Sequence, residues 1–202
     1  MKKETRLPQR QSIRLHGYDY AKTGAYFVTI CIRNQACLMG KIADGEMVLN
    51  RAGQMAESVW VELPARFSNI QMDEFTIMPN HFHGIVIIQR RGESCIRPRS
   101  GTGDHQDRPY GTLPESISRI VQAFKSISTG EYIRGVKSHD WSPFPGKLWQ
   151  RNYYDHIVRD DDELAKIREY IKNNPLKWEF DKENPAALNL TNRKMPEESW
   201  MI

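Results

Sequence analysis

The sequence lacks any long hydrophobic run. Its longest strongly apolar stretch is the five residues Gly-Ile-Val-Ile-Ile at 84–88, whereas a membrane-spanning helix needs about 20 apolar residues. The first residues carry lysine and arginine and no apolar segment of the kind that begins a secretory signal. We therefore expect no membrane-spanning segment and a cytoplasmic location.

Cysteine is also scarce, because the chain has only Cys31, Cys37 and Cys95. None of them belongs to a CxxC pair, so the sequence indicates neither a disulfide framework nor a zinc knuckle. Internal repeats and heptads are missing as well, which excludes solenoids and coiled coils.

Bulky core residues, in contrast, are plentiful. The 202 residues include five Trp, eight Tyr and seven Phe, and 39% of the residues are hydrophobic. This is enough to build one domain without disulfides or structural metal, and it excludes disorder throughout.

The charge is unevenly distributed along the chain. The net charge is +4, but residues 1–34 hold seven Lys or Arg against two acids, and residues 35–89 hold three against six. A basic segment at the N-terminus allows contact with nucleic acid, although a solvated charged surface explains the same pattern.

Hydrophobic periodicity predicts several elements in the first half of the chain. β-Branched and aromatic residues indicate strands, Asp44-Gly45 indicates a hairpin turn, and Asn50 can cap a helix that ends at Pro64. The predicted elements are a strand at 25–32, a hairpin within 37–49, a helix at 50–63 and strands near 70–78 and 82–89.

The second half is predicted to be mainly helical. A helix begins at Pro114 and ends before Gly130 or Gly135, the segment 147–158 is extended, and a helix with Asp160 and Glu163 in a capping-box arrangement runs to about Asn173. Residues 90–111 are rich in Arg, Gly, Ser, Asp and Pro and are predicted to form a flexible insert. Together the elements favour an α+β fold with a mainly antiparallel sheet and helices on one face.

Two histidines begin one of these strands. His81 and His83 are two residues apart, so both side chains lie on one face of the strand while Phe82 points to the other. Two imidazoles on one face can bind a divalent ion, although the pattern taken alone favours a pair of hydrogen-bonded strand histidines.

The closing helix carries a tyrosine and an asparagine one turn apart. Tyr170 and Asn174 share a stripe beside the apolar positions Ile167 and Ile171. Taken singly, a half-buried packing tyrosine and a helix-end asparagine are the ordinary explanations. Together with the two histidines, however, an amide oxygen could complete a metal site, and a phenol one turn earlier would reach a phosphate bound there.

At this point the sequence resembles the single-tyrosine HUH transposases, and among them the REP-associated tyrosine transposases. Three segments in this order carry the resemblance: MPNHFHG at 78–84, LWQRNYYDH at 148–156 and EYIKNNP at 169–175. The similarity extends over residues 18–178. We interpret 1–17 as a basic N-terminal arm and 179–202 as a C-terminal tail.

The resemblance implies a ferredoxin-like sheet, a site that depends on Mg²⁺ or Mn²⁺, and cleavage of single-stranded DNA beside a hairpin through a 5′-phosphotyrosine. It also implies that His81, His83 and Asn174 bind the metal ion and that Tyr170 is the nucleophile. Because histidine ligands favour softer metals than Mg²⁺, Mn²⁺ is expected to be the better activator.

Other residues are candidates for DNA contact rather than chemistry. Aromatic side chains can stack on unpaired bases and cations can follow the phosphate backbone, although core packing and solvated charge explain each of them singly. The candidates are Arg10, Arg14, Arg33, Arg119, Lys125, Tyr153 and Tyr154, with His156 as a further candidate for the site.

Two other functions remain open from sequence. The chain could bind DNA with the same fold without cutting it, or it could be a metal-dependent phosphoesterase that activates water, in which case Tyr170 would be dispensable. A monomer and a homodimer are both compatible with the sequence.

Overall fold

The computed structural model of the protein describes residues 20–89 and 116–187. Six strands and three α-helices follow one another in these parts of the chain. They are β1 (Gly24–Cys31), β2 (Gly40–Ala43), β3 (Glu46–Leu49), α1 (Arg51–Val61), β4 (Ile70–Ile77), β5 (His81–Ile88), α2 (Ile117–Ser138), β6 (Tyr154–Ile157) and α3 (Asp161–Asn173).

The main sheet has four strands in the order β4-β5-β1-β6, and each neighbouring pair is antiparallel. β2 and β3 form a separate hairpin that is inserted after β1. Without this hairpin, the chain order strand, helix, strand, strand, helix, strand is that of the ferredoxin-like split βαβ fold. The predicted α+β fold with a mainly antiparallel sheet is confirmed.

The helices α1 and α2 cover one face of this sheet. Large rings fill the space between the layers: the Trp60 ring centroid lies 4.4 Å from that of Phe82 and 5.4 Å from that of Phe124. All three side chains are fully buried in one cluster with the alternate residues of β1. This side is the main hydrophobic core.

Helix α3 covers the opposite face, so the prediction of helices on one face only was wrong. Phe27, Ile85 and Ile87 point to this side and form a second cluster with Ile167 and Ile171 of α3. Every residue of β5 is buried, which explains why its apolar run does not alternate with polar residues. Burial of each large aliphatic side chain here contributes about 1.5–3 kcal/mol.

Two helix starts are fixed by the caps that the sequence predicts. The Asn50 side chain accepts a hydrogen bond of 2.9 Å from the Gly53 N–H at the start of α1. The Asp160 side chain accepts one of 2.8 Å from the Glu163 N–H at the start of α3. Both satisfy amide groups that have no partner within the helix.

Helix α2 differs from the prediction at its end. It begins at Ile117 after Ser116 and runs through both glycines to Ser138, while Pro114 lies outside the described residues. A Cβ atom at Gly135 would lie 2.1 Å from the Trp141 ring. Gly135 is therefore a packing residue that lets this ring approach the helix backbone, rather than a residue that ends the helix.

Several other predictions concern residues that the structure does not describe. The basic segment 1–17 and the insert 90–111 lie outside the described ranges, as do Arg10, Arg14 and Cys95. The predicted extended segment 147–158 contains a strand only at Tyr154–Ile157, preceded by an isolated bridge between Trp149 and Ile32. No described helix is long and apolar enough to cross a membrane.

Candidate active site

The two histidines lie side by side at the start of β5, under α3. In the register of the sheet, His83 is opposite Thr29 and His81 is opposite Cys31, so these side chains share the face that α3 covers. Both imidazoles are almost fully buried. Their Nε2 atoms face each other at 3.0 Å.

The outer nitrogen of each histidine is held by a polar neighbour. His81 Nδ1 lies 2.9 Å from Asn80 Oδ1, and His83 Nδ1 lies 2.8 Å from Thr29 Oγ1. The orientation of the Asn80 amide is fixed because its Nδ2 donates to the backbone oxygens of Gln35 at 3.0 Å and Glu183 at 2.6 Å. Its Oδ1 must therefore accept from His81, which places the proton on Nδ1 and the lone pair on Nε2.

This arrangement is the one that metal-binding histidines usually need. A hydrogen bond on one ring nitrogen sets the tautomer and directs the other nitrogen at the ion. The Thr29 hydroxyl can accept from His83 Nδ1 in the same way, since a hydroxyl rotates to suit its partner. Both Nε2 atoms can then present lone pairs to one point between them.

Burial also keeps the two imidazoles uncharged. It lowers the pKa of His81 to about 4, although the nearby Glu183 carboxylate and the Asn174 side chain raise it. Burial, followed by repulsion from His81, lowers the pKa of His83 well below its usual range. At neutral pH both rings are therefore neutral, which is the state that binds metal.

Tyr170 lies next to this pair. Its ring centroid is 5.4 Å from that of His83 and 6.0 Å from that of Phe27, and both contacts are edge-to-face. The side chain is partly exposed. The structure thus places the predicted nucleophile beside the predicted metal ligands.

Side chains on both flanks hold α3 against the sheet. Arg168 forms a hydrogen-bonded ion pair with Asp73 of β4, with Nε 2.8 Å from Oδ1. At the start of the helix, His156 Nε2 lies 3.0 Å from Glu163 Oε1. His156, a further candidate for the site, thus connects β6 to α3 and does not contact the paired histidines.

Asn174 continues the helical geometry at the end of α3, with φ −60° and ψ −42°, so it stays one turn from Tyr170. Asn174 is 3% exposed, and its Oδ1 makes no well-formed hydrogen bond with the described residues, although the side chain lies close enough to His81 to raise the pKa of that imidazole. A buried amide oxygen without a partner costs about 1–3 kcal/mol. A cation bound at this point would remove that cost.

The site opens into a cavity of about 270 Å³. Its walls come from β1, β5, α3, the segment 150–154 and the segment that follows α3. The lining residues are Thr29, Cys31, His81, His83, Gln150, Asn152, Tyr153, Tyr154, Tyr170, Asp181, Lys182 and Glu183.

Seven of these residues were not among the sequence-based candidates: Thr29, Cys31, Gln150, Asn152, Asp181, Lys182 and Glu183. The last three of them belong to 179–202, which the sequence assigns to a C-terminal tail without periodicity. Burial raises the pKa of Asp181, and Asp181 Oδ2 lies 3.7 Å from His81 Nε2. Burial, with Glu183 and Asp181 nearby, also raises the pKa of the Cys31 thiol to about 12, so this cysteine is not a thiolate.

The predicted metal ligands fit a divalent ion as a set of two imidazoles and one amide. Within the described ranges, no three His, Cys, Asp or Glu side chains are grouped closely enough to hold a metal ion. Any ion between His81 and His83 would thus need a further ligand such as the oxygen of Asn174, which is one of six buried side-chain N or O atoms without a hydrogen-bond partner in the described residues.

The predicted DNA-contact residues lie in different places. Arg33 and Arg119 are exposed. Tyr153 packs toward the α2 side, Tyr154 packs toward the α3 side, and both line the cavity. Lys125 Nζ donates to the backbone oxygens of Gln150 at 3.0 Å and Asn152 at 2.9 Å, so it shapes the cavity wall.

Comparison with known proteins places the chain among transposases. The sequence profile of the IS200-like transposases matches residues 112–174, which include the tyrosine helix but not the histidine strand. An uncharacterized protein of Haemophilus influenzae is 39% identical over 176 residues, which are 87% of this chain and 93% of that protein.

Two solved structures are also similar. One is a REP-associated tyrosine transposase bound to a REP hairpin, with a TM-score of 0.53 and 16% identity over 84% of this chain and 77% of that chain. The other is described as a candidate transposase of Deinococcus radiodurans, with a TM-score of 0.41 and 14% identity over 79% of this chain and 95% of that chain. The first supports the fold, and the second is too distant to add to it.

The fold is that of a tyrosine transposase. The chain belongs to the IS200-like transposase family, and the resemblance that the sequence indicates is confirmed at this level.

Proposed function

We propose that the chain is a metal-dependent single-stranded DNA endonuclease and strand transferase with Tyr170 as its nucleophile. One observation carries this proposal: Tyr170 and the facing Nε2 atoms of His81 and His83 line the same cavity. The unpartnered oxygen of Asn174 adds a third ligand on the helix of the nucleophile. Mg²⁺ and Mn²⁺ are the proposed ions.

The reaction follows from these residues. Tyr170 Oη gives its proton to water and attacks the phosphorus, the bond from phosphorus to the 3′ oxygen breaks, and the 3′ oxygen takes up a proton from water and leaves as a hydroxyl. The 5′ phosphate stays on Tyr170 until a 3′-hydroxyl attacks it and restores the phenol. A phenol has a pKa of about 10 and is a weak nucleophile at neutral pH. A divalent ion held by His81, His83 and Asn174 would polarise the phosphate and so supply the missing activation.

We propose that the cavity takes an unpaired strand, because exposed polar side chains and aromatic rings line it together. Asn152 and Gln150 are exposed beside Tyr153 and Tyr154, so a flexible strand can bring its phosphate under α3 while its bases meet aromatic side chains. Since the similar solved transposase is bound to a REP hairpin, we propose that this chain also cuts beside a hairpin.

The direct test is a labelled single-stranded hairpin DNA incubated with the protein and Mn²⁺ and then run on a denaturing gel. We expect cut DNA together with a slower band that protease treatment removes, as a covalent adduct requires. Cutting without an adduct would identify a phosphoesterase that uses water. Binding without cutting at any Mn²⁺ concentration would identify a DNA-binding protein of the same fold.

DNA affinity is expected to fall steeply with salt. Phosphate contacts release counterions, and for a strand held through several phosphates we expect at least about a tenfold weaker affinity at 200 mM than at 50 mM salt. A single-stranded hairpin should compete better than a duplex of equal length in fluorescence anisotropy. Equal competition by the duplex would contradict the proposed substrate.

A further inference from the structure

An exposed basic surface lies beside the candidate active site, where β1 ends. The segment 147–151 runs antiparallel to this end of the strand. The Arg33 N–H donates to the Leu148 backbone oxygen at 2.8 Å, and the Gln150 N–H donates to the Cys31 backbone oxygen at 2.9 Å. The exposed cations of this surface, which we call the basic rim, are Arg33, Lys147 and Arg151.

The basic rim carries charge that no carboxylate neutralises within residues 20–89 and 116–187. The ion pairs formed there join other residues. A Cβ atom at Gly146 would lie 3.3 Å from Arg33 Nη1, so the guanidinium lies beside Gly146, which directly precedes Lys147. Cations that are distant in sequence are thus held along one surface, where their summed potential attracts anions.

Helix α2 holds the backbone of this surface. Lys125 Nζ donates to the backbone oxygens of Gln150 at 3.0 Å and Asn152 at 2.9 Å, and it lies 5.4 Å from the Tyr153 ring centroid. One ammonium group therefore fixes the carbonyl groups on both sides of Arg151. Because Gln150 and Asn152 line the cavity, Arg151 lies on a preorganised backbone at the cavity wall.

The other side of the cavity carries acidic residues. Gln35, two residues after Arg33, donates from Nε2 to Glu183 Oε2 at 3.3 Å. Asp181 and Glu183 line the cavity together with Lys182, so acids outnumber cations on that side. The chain from Arg33 to Gln35 thus separates a basic side from an acidic side. Phosphate groups are anions, so this distribution of charge favours a DNA backbone on the basic side.

We propose that the basic rim binds the backbone of the unpaired DNA strand where the strand enters the cavity. This inference rests on the proposed function, which supplies single-stranded DNA as the substrate. Of the three cations, only Arg33 was among the candidates predicted from sequence, and Lys147 and Arg151 are added by the structure. Their contacts are with phosphate groups, so they position the strand without reading its sequence.

The test is the salt dependence of DNA binding by the full chain. It is measured by fluorescence anisotropy without divalent ions, so that no strand is cut, on a labelled hairpin that has an unpaired flanking strand. Each phosphate contact with a single strand contributes about 0.7 to the slope of log affinity against log salt concentration. We expect Arg33→Gln and Arg151→Gln each to lower this slope by about 0.7 and to weaken binding by about fivefold at about 100 mM salt.

The matched control is Arg66→Gln. Arg66 is also exposed, but it precedes β4, whose first residue Ile70 pairs with Ile88 at the end of β5 opposite to His81. This variant should keep the slope of the parent and an affinity within about twofold. If Arg33→Gln and Arg151→Gln behave like Arg66→Gln, the basic rim is overturned as a DNA-binding surface.

A second probe separates the unpaired strand from the stem of the hairpin. A hairpin without the flanking strand should bind the two rim variants and the parent with the same slope. An equal loss of slope with this probe would overturn the inference, because the rim would then bind the stem. The proposed chemistry is judged separately, on the parent protein with Mn²⁺: if no adduct forms while the rim variants still lower the slope, the chemistry fails and the basic rim stands.

Discussion

Tyr170→Phe is expected to abolish the covalent adduct between protein and DNA and to lower strand cleavage by at least about a thousandfold, because it removes the only atom of the side chain that can attack phosphorus. The ring remains, so its edge-to-face contacts with Phe27 and His83 are kept. Folding and hairpin binding should therefore match the parent protein. Adduct formation on a denaturing gel and the thermal midpoint measure the two effects.

Tyr153→Phe and Tyr154→Phe are the matched controls, since both tyrosines also line the cavity. They pack toward opposite sides of the sheet, and neither lies on the element that carries Asn174. Both variants should still form the adduct. Peptide mass spectrometry of the trapped adduct identifies the nucleophile, and DNA attached to Tyr153 or Tyr154 instead of Tyr170 would refute the assignment.

Much of the fold could be predicted because local chemistry determines it. Asn50 and Asp160 cap the helices that they were expected to cap, and Asp44-Gly45 connects β2 to β3. The errors concern tertiary contacts. Glycine is common at helix ends, so the sequence suggests that α2 ends before Gly130 or Gly135. Gly135 lies inside α2 because the Trp141 ring packs where a Cβ atom would be, and this contact could not be predicted from sequence.

The candidate site was predictable to the extent that short sequence spacing determines it. The spacing of two residues places His81 and His83 on one face, and the spacing of four places Tyr170 and Asn174 on one stripe. The structure brings both pairs together across the layer between β5 and α3. Whether these residues perform the proposed chemistry stays a prediction.

The partners of these residues could not be predicted, because they are distant in sequence. Thr29 reaches His83 through strand pairing, and the backbone of Glu183 holds Asn80 across 103 residues. Asp181 follows Pro175 in a segment without periodicity, so nothing in its neighbourhood indicates a role. Its position close to His81 is determined by the path of the chain after α3, through the 3₁₀ helix Pro175–Phe180.

His81→Ala and His83→Ala are each expected to abolish cleavage that depends on divalent ions, with a loss of at least about a thousandfold. Each variant removes one of two imidazoles whose Nε2 atoms face a common point. The remaining imidazole and the oxygen of Asn174 are too few to hold a divalent ion firmly. Cleavage of labelled hairpin DNA over a series of Mn²⁺ concentrations measures the loss, and added Mn²⁺ should not restore activity.

DNA binding by the same variants should be largely preserved, because it depends on charge and base stacking elsewhere on the surface. His139→Ala is the control, since His139 is exposed at the end of α2 and should cut like the parent. Both histidines of the site are buried, so each substitution also leaves a cavity that lowers stability, and the assay must be run below the thermal midpoint of the variant. Undiminished cleavage by a folded His81→Ala or His83→Ala protein would remove the metal-dependent mechanism. The described parts of the chain contain no group of three His, Cys, Asp or Glu side chains that could hold the ion elsewhere.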